Sequence, residues 1–222
     1  MLPGNSANSL CNITAANSLA FDFDGTLVNC KTRQTEVLRS ILRRKECNML
    51  QLDFNKWWKY KTNGSSTFDA LVKMKVSGEI AKYISKSWID IIENPEWLDL
   101  DKLNDNVIPL LSQLNNSNKP TFIVTARKSE YFFLNQIKKL SIDQHFNKYF
   151  VVDPNQSKEQ KIEILRKLKP SLFIGDTEND FFSANESGVK FIAVSSGQRS
   201  KQFLSSYGID LIIDNISWVL AQ

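Results

Sequence analysis

Cysteine is scarce in this chain: three in 222 residues, Cys11, Cys30 and Cys47. An odd number with no Cys-x-x-Cys pair supports neither a disulfide framework nor a zinc site. Reduced thiols in a cytoplasmic protein are the expectation. Histidine is scarcer still; His145 stands alone, and we read it as structural or surface. No apolar run approaches the ~20 residues that span a bilayer, so a membrane-embedded protein is excluded. Charge of one sign is also in short supply, with 28 basic and 24 acidic side chains giving +4. A nucleic-acid binder shows a basic stripe or a larger excess, so no nucleic-acid partner is expected. Residues 1–17 lack both the basic start and the apolar stretch of a secretory signal and read as a loose leader.

What is present is globular. Hydrophobic residues make up 42% and charged residues 23%, which excludes a disordered chain, a collagen and a coiled coil. The length suits one domain plus an addition. Short, nearly continuous apolar runs recur at Leu19 to Phe23, Thr121 to Val124, Tyr149 to Val152, Leu172 to Ile174, Phe191 to Val194 and Leu211 to Ile213. Runs of that length without alternation suit strands buried on both faces of a parallel sheet. Amphipathic helical patterns separate most of them: Val107, Leu110, Leu111 and Leu114; Phe133, Leu134, Ile137 and Leu140; Ile162, Leu165 and Leu168. The alternation predicts an α/β fold, a doubly wound and mainly parallel sheet.

About ninety residues after the first run contain no strand-like segment. Their apolar spacing is helical, at Val37, Leu38, Ile41 and Leu42, at Phe68, Leu71, Val72 and Met74, and at Ile80, Ile84, Trp88, Ile91 and Ile92. A structureless loop of this length is improbable in a compact domain. A helical subdomain inserted at 32–105 is predicted, with the core formed by 18–31 and 106–222.

Chemistry gathers where the runs end. Phe21-Asp22-Phe23-Asp24-Gly25-Thr26-Leu27-Val28 puts two carboxylates two residues apart at the end of an apolar strand, where open α/β sheets bind ligands. Side chains two apart in extended backbone share a face, so the pair should converge on a cation or a shared proton. Gly175-Asp176-Thr177-Glu178-Asn179-Asp180 repeats the theme after another strand. Asp176 could join Asp22 in an all-oxygen site suited to Mg²⁺. Ile123-Val124-Thr125-Ala126-Arg127 offers a hydroxyl and backbone N–H groups at a strand exit, which suits a phosphate, and Arg127 could clamp an anion. Ser157-Lys158 opens the Ile162/Leu165/Leu168 helix, where a lysine is at odds with the helix dipole and an anionic partner would explain it; Lys161 is the competitor.

In this order the four segments resemble the haloacid dehalogenase-like superfamily, across roughly 18–30 and 105–222. The resemblance implies that Asp22 is the nucleophile and Asp24 the general acid/base. It implies phosphate binding by Thr125, Ala126 and Lys158, with Lys158 preferred because Ile162 and Leu165 stand four and seven residues on. It also implies Mg²⁺ held by Asp22, the Asp24 backbone carbonyl and Asp176, supported by Asp180. Asp24 favours phosphate chemistry, since a departing halide needs no proton. The insert resembles the family's helical cap, which makes Lys61 and Asn63, in a turn between its helices, candidate substrate contacts, and Arg127 at its strand exit is a third.

The function expected is a Mg²⁺-dependent phosphatase acting on a small phosphorylated metabolite through an aspartyl-phosphate. The alternatives are a phosphomutase or a non-catalytic phosphate-ligand binding protein on the same fold. A monomer or weak homodimer is expected.

Overall fold

A computed structural model describes residues 16–47 and 50–221. Cys11 and nearly all of the expected leader lie outside them. The chain enters through β1 (Leu19–Phe21) and the short β2 (Val28–Asn29), then runs through α1 (Lys31–Leu42), α2 (Phe54–Thr62), α3 (Thr67–Lys73), α4 (Gly78–Ile91) and α5 (Pro95–Leu98). It returns by β3 (Lys102–Leu103) and α6 (Val107–Asn116). The remainder alternates: β4 (Thr121–Ala126), α7 (Glu130–Lys139), β5 (Lys148–Val152), α8 (Ser157–Leu168), β6 (Leu172–Gly175), α9 (Glu178–Glu186), β7 (Lys190–Val194), α10 (Lys201–Ser205) and β8 (Ile212–Ile213). None of the described helices is long and apolar enough to cross a membrane.

All six runs read from the sequence become strands of one sheet, in the order β5-β4-β1-β6-β7-β8, and every pairing is parallel. The sheet is sandwiched, which is why its strands carry no polar face. Leu19 and Phe21 point into a cluster with Leu110, Leu111, Phe133 and Ile137 on one side. Ala20 points the other way, into a cluster with Val124, Leu165, Phe173 and Ala184.

The chain leaves β1 toward β4 and β5, then crosses back to build β6, β7 and β8 on the other side of β1. Such a reversal opens a crevice at the carboxyl ends of the strands around it. The segments Asp22–Asp24, Thr125–Arg127 and Gly175–Asp180 all arrive there.

The helices between β2 and β3 have their own apolar centre, formed by Val37, Leu38, Ile41, Trp57, Ala70, Leu71 and Ile84. At roughly 1.5–3 kcal/mol per fully buried aliphatic side chain, five of these supply on the order of 10 kcal/mol. That is ample for short helices whose intrinsic stability is marginal. Sequence spacing marks α1, α3 and α4 but not α2, whose Trp57 is buried and Trp58 partly buried. Nor does it mark the antiparallel β2–β3 pair through which the chain leaves and re-enters the core.

The helical insert is tied to the core on two sides. Ser200 N–H donates to Thr62 O at 2.8 Å, and the Arg199 guanidinium donates to Lys61 O at 3.2 Å. A Cβ on Gly64 would come within 2.4 Å of the Phe203 ring, and its φ of +85° is one that glycine favours. On the far side, Lys128 Nζ donates to Ile89 O near the end of α4 at 2.6 Å, and Lys128 N–H to Glu93 Oε2 at 2.9 Å.

Candidate active site

The strand β1 ends at Phe21, one residue before the first acid. Asp22 N–H still donates to Ile174 O on β6 at 2.8 Å, so its backbone is fixed by the sheet. The backbone then turns through Gly25, whose φ is +83°. A side chain there would be impossible for a second reason: a Cβ on Gly25 would lie 2.0 Å from Asp176 Oδ2, and one on Gly197 2.2 Å from the same atom. Two glycines thus form a cradle for the Asp176 carboxylate, and Gln198 N–H donates into it at 2.5 Å.

Asp22, Asp176 and Asp180 are all buried and offer carboxylate oxygens within 4.8 Å of one another. Asp180 is set by a capping box at the start of α9. The Thr177 hydroxyl and N–H donate to Asp180 Oδ2 at 2.6 and 3.2 Å, and the Asp180 N–H donates back to Thr177 Oγ1 at 3.3 Å. Its other oxygen accepts from Lys161 Nζ at 2.6 Å, and the same ammonium donates to Asp22 Oδ1 at 2.8 Å.

One ammonium therefore bridges two of the three buried carboxylates, Asp22 and Asp180, and among the described residues leaves Asp176 without a cation beside it. Burial pushes the Asp22 carboxyl up to about 7, with Lys161 opposing and Asp180 reinforcing the rise. Burial, joined by Asp22 and Asp180, holds Asp176 well above the usual carboxylate range. At Lys161 burial acts in the opposite sense and would lower the pKa, but Asp180 and Asp22 outweigh it and keep the ammonium protonated beyond its ordinary range. Asp176 Oδ1 is buried without a hydrogen-bond partner. Excess buried negative charge beside an orphaned carboxylate oxygen is what a hard divalent cation relieves, and an all-carboxylate donor set suits Mg²⁺. The residues present fit that ion.

Asp24 behaves differently. The expectation that it would converge with Asp22 on one cation is corrected: extended backbone stops at Phe21, so alternation no longer governs where the side chains go. Its carboxylate turns to two arginines instead. Arg33 Nη2 lies 2.5 Å from Oδ1, while Arg127 Nη2 donates to Oδ1 at 2.8 Å and Arg127 Nε lies 2.6 Å from Oδ2. Burial alone would raise the Asp24 pKa, but Arg127 and Arg33 outweigh it and hold the carboxyl below its ordinary value. Only the backbone carbonyl of Asp24 is left for a metal.

The preference for Lys158 over Lys161 is also corrected. Lys158 Nζ pairs with Glu186 at 2.5 Å and is about a third exposed, whereas Lys161 is buried against Asp22. The apolar spacing could not separate the two. Ile162 lies four residues after Lys158, and Leu165 lies four after Lys161, so each lysine shares a helix face with a buried residue.

Thr125 is buried in β4, paired with Val151 of β5. Ala126, next to it, lines a chamber of about 200 Å³ between core and insert, together with Asp24, Arg33, Gln34, Trp88 and Gln198. Of the expected substrate contacts, Arg127 is engaged with Asp24. Asn63 Nδ2 donates to Lys59 O at 2.8 Å and its Oδ1 accepts from the Ser200 hydroxyl at 3.1 Å. Lys61 is buried behind the chamber wall, its ammonium 5.1 Å from the centre of the Trp88 ring and 3.3 Å from the Thr67 hydroxyl. His145 sits by the surface, its Nδ1 3.1 Å from Asn115 Nδ2.

Arg33, Asp101 and Gln136 escaped the sequence reading, and one signal was there to find Arg33. It stands four residues before Val37 in α1, and Gln34 four before Leu38, so both extend the buried stripe into polar residues.

The family model described as haloacid dehalogenase-like hydrolase matches residues 19–194. No curated protein matches the chain. Among solved structures, a haloacid dehalogenase-like family hydrolase from Streptococcus pneumoniae superposes with a TM-score of 0.74 at 21% identity, covering 94% of this chain and 98% of its own. A predicted phosphatase from Clostridium acetobutylicum gives 0.70 at 18% identity, covering 92% and 96%. A predicted phosphoglycolate phosphatase from Haemophilus somnus gives 0.68 at 20% identity, again covering 92% and 96%. At these identities the likeness concerns the fold.

Proposed function

Since the chain belongs to the haloacid dehalogenase-like hydrolases, we propose that it is a Mg²⁺-dependent phosphatase that hydrolyses a small phosphorylated metabolite through a phosphoryl-aspartate at Asp22. One observation carries the reading. Asp22 is held at the end of the central strand by Lys161, beside two more buried acids, while a second carboxylate, Asp24, stands on the wall of the adjoining chamber. Buried acids in such numbers are costly to the fold, and phosphoryl transfer needs them.

Asp22, the Asp24 carbonyl and Asp176 would hold Mg²⁺, with Asp180 behind them, and the bound ion would offset charge on the phosphoryl oxygens. An Asp22 oxygen attacks phosphorus, and the bond from phosphorus to the substrate oxygen breaks with its electron pair passing to that oxygen. Asp24, protonated from solvent against the pull of Arg127 and Arg33, gives the leaving oxygen that proton. The resulting carboxylate takes a proton from water as the water oxygen attacks phosphorus, which frees Asp22 and releases inorganic phosphate. Lys161 takes the phosphate-binding part assigned from sequence to Lys158, alongside Thr125 and the backbone N–H of Ala126.

The helices between β2 and β3 act as the cap that shields this chemistry from water. The chamber's volume supports a small leaving group. The buried, unpaired thiols Cys30 and Cys47 support a reducing, cytoplasmic setting.

The test is inorganic phosphate release from a panel of phosphorylated sugars, hydroxy acids and nucleotides, with Mg²⁺, with EDTA, and with Asp22→Asn. Metal-dependent release lost in the variant supports the reading. Release that survives Asp22→Asn contradicts it.

A further inference from the structure

Asp24 is one member of a closed ring of five side chains that crosses from the core into the helical insert. Arg33, in the first turn of α1, directs Nη2 to Asp24 Oδ1 at 2.5 Å and Nε to Asp101 Oδ1 at 3.0 Å, and its Nη1 lies 3.4 Å from Ile92 O. Gln136 of α7 donates from Nε2 to Asp101 Oδ2 at 2.8 Å, and its Oε1 accepts from Arg127 Nη2 at 3.1 Å. Arg127 completes the circuit at Asp24. Gln136 also donates to Leu98 O at 3.2 Å, so the ring grips the end of α5 as well.

Stability is a poor reason for this arrangement. A buried ion pair gains little over an apolar pair of the same volume, and here two guanidinium groups and two carboxylates are buried together. Its position is more telling. Arg33 and Asp24 both line the chamber, with Trp88 and Gln34 from the insert and Ala126 from the core. Arg33 is the member of the ring that reaches the Asp24 carboxylate from the insert. With the insert displaced, Asp24 would keep Arg127 and lose Arg33.

We propose that Arg33 is a positioning residue for Asp24: it fixes the Asp24 carboxyl from the insert, so that proton transfer to the leaving group is in register only when the insert is seated on the core. Asp101 and Gln136 orient Arg33 and Arg127 in turn. The proposal rests on the phosphatase reading and adds to it a residue outside all four strand-end segments.

Leaving-group chemistry separates positioning from mere structure. An alkyl phosphate needs the proton from Asp24 for its departure, while p-nitrophenyl phosphate leaves as a stable phenolate and scarcely needs it. Arg33→Met and Arg33→Lys would be made in the full chain. The best alkyl phosphate of the panel would be compared with the first-turnover burst of p-nitrophenolate, which reports only formation of the phosphoenzyme.

Arg33→Met is expected to lower kcat on the alkyl phosphate by roughly 30- to 100-fold, a partial loss that reaches only the lower end of the roughly 10²–10⁴-fold that general acid catalysis contributes. KM should change by less than about threefold, the burst rate should fall only a few-fold, and Arg33→Lys should recover part of the loss. An equal loss with both leaving groups, a loss confined to KM, no loss, or a gain in rate would overturn the proposal. Thermal unfolding shows whether the variant folds; should Arg33→Met not fold, Arg33→Lys and Gln136→Leu must show the same split. A wild-type enzyme that forms no phosphoenzyme overturns the phosphatase reading itself, and this proposal with it. An active wild type with a uniform loss overturns this proposal alone.

Discussion

Two lysines three residues apart in α8 have opposite surroundings. Lys161 Nζ bridges Asp22 and Asp180; Lys158 meets Glu186 on the surface. Lys161→Met is therefore expected to lower phosphatase activity by about 10²-fold or more, the scale of losing one electrostatic contact to the transferring group. It should also change stability measurably in urea, because Asp22 and Asp180 lose a buried counter-ion worth roughly 3–5 kcal/mol when broken one-sidedly. Lys158→Met should stay within about 0.5 kcal/mol of wild type, as surface substitutions do, with activity little changed. Equal losses in the two variants would show that this geometry does not govern the site. Asp22, Asp176 and Asp180 were legible as residues because acids at the ends of apolar strands have few structural reasons to cluster. Which lysine joins them was not, since helical periodicity gives both the same relation to a buried neighbour.

At the scale of elements, the sheet was the most legible part. Continuous apolar runs become strands because both faces of the sheet are covered, and all six entered it. The helices of the insert were legible where their stripe was aliphatic and obscure where it was mixed. In α2, Trp57 and Lys61 are both buried, four residues apart, and a lysine in the buried stripe hides the period. That lysine has a consequence for stability. Among the described residues it meets no carboxylate within ion-pair distance, and burial, with Arg199 adding to it, pulls its ammonium down to about 8. The unfolded chain therefore holds this proton up to about pH 10.5, while the folded chain releases it near 8. Between those values the unfolded state binds more protons, so stability from this group rises with pH and is lowest below about 8. The full span corresponds to about 3 kcal/mol at roughly 1.4 kcal/mol per pH unit. Lys61→Met is expected to raise the unfolding midpoint at pH 7 and to flatten the rise between pH 8 and 10. A variant with an unchanged slope would show that Lys61 is not the group responsible.

For the whole molecule, the sheet brings the acids together and the insert closes the adjoining chamber, whose wall carries Asp24. The two parts also compete, because the acids destabilise the fold that presents them. Mg²⁺ at 100 times its dissociation constant should stabilise the native state by about 2.7 kcal/mol, seen as a rise of a few degrees in the unfolding midpoint. Asp176→Asn should begin with a higher midpoint in EDTA than wild type, since one buried negative charge is gone, and should gain little from added Mg²⁺. A wild-type midpoint indifferent to Mg²⁺ would argue against a cation among these acids.

The central claim concerns one bond, between phosphorus and an Asp22 oxygen. Rapid acid quench during turnover of the best substrate, followed by mass spectrometry of the peptide that contains Asp22 and Asp24, tests it most directly. The account predicts one added phosphoryl group on Asp22 in the wild type, accumulating in Asp24→Asn, where its hydrolysis is slowed, and absent from Asp22→Asn. Turnover with no phosphoryl group on that peptide in either wild type or Asp24→Asn, or a phosphoryl group on another residue, would contradict it.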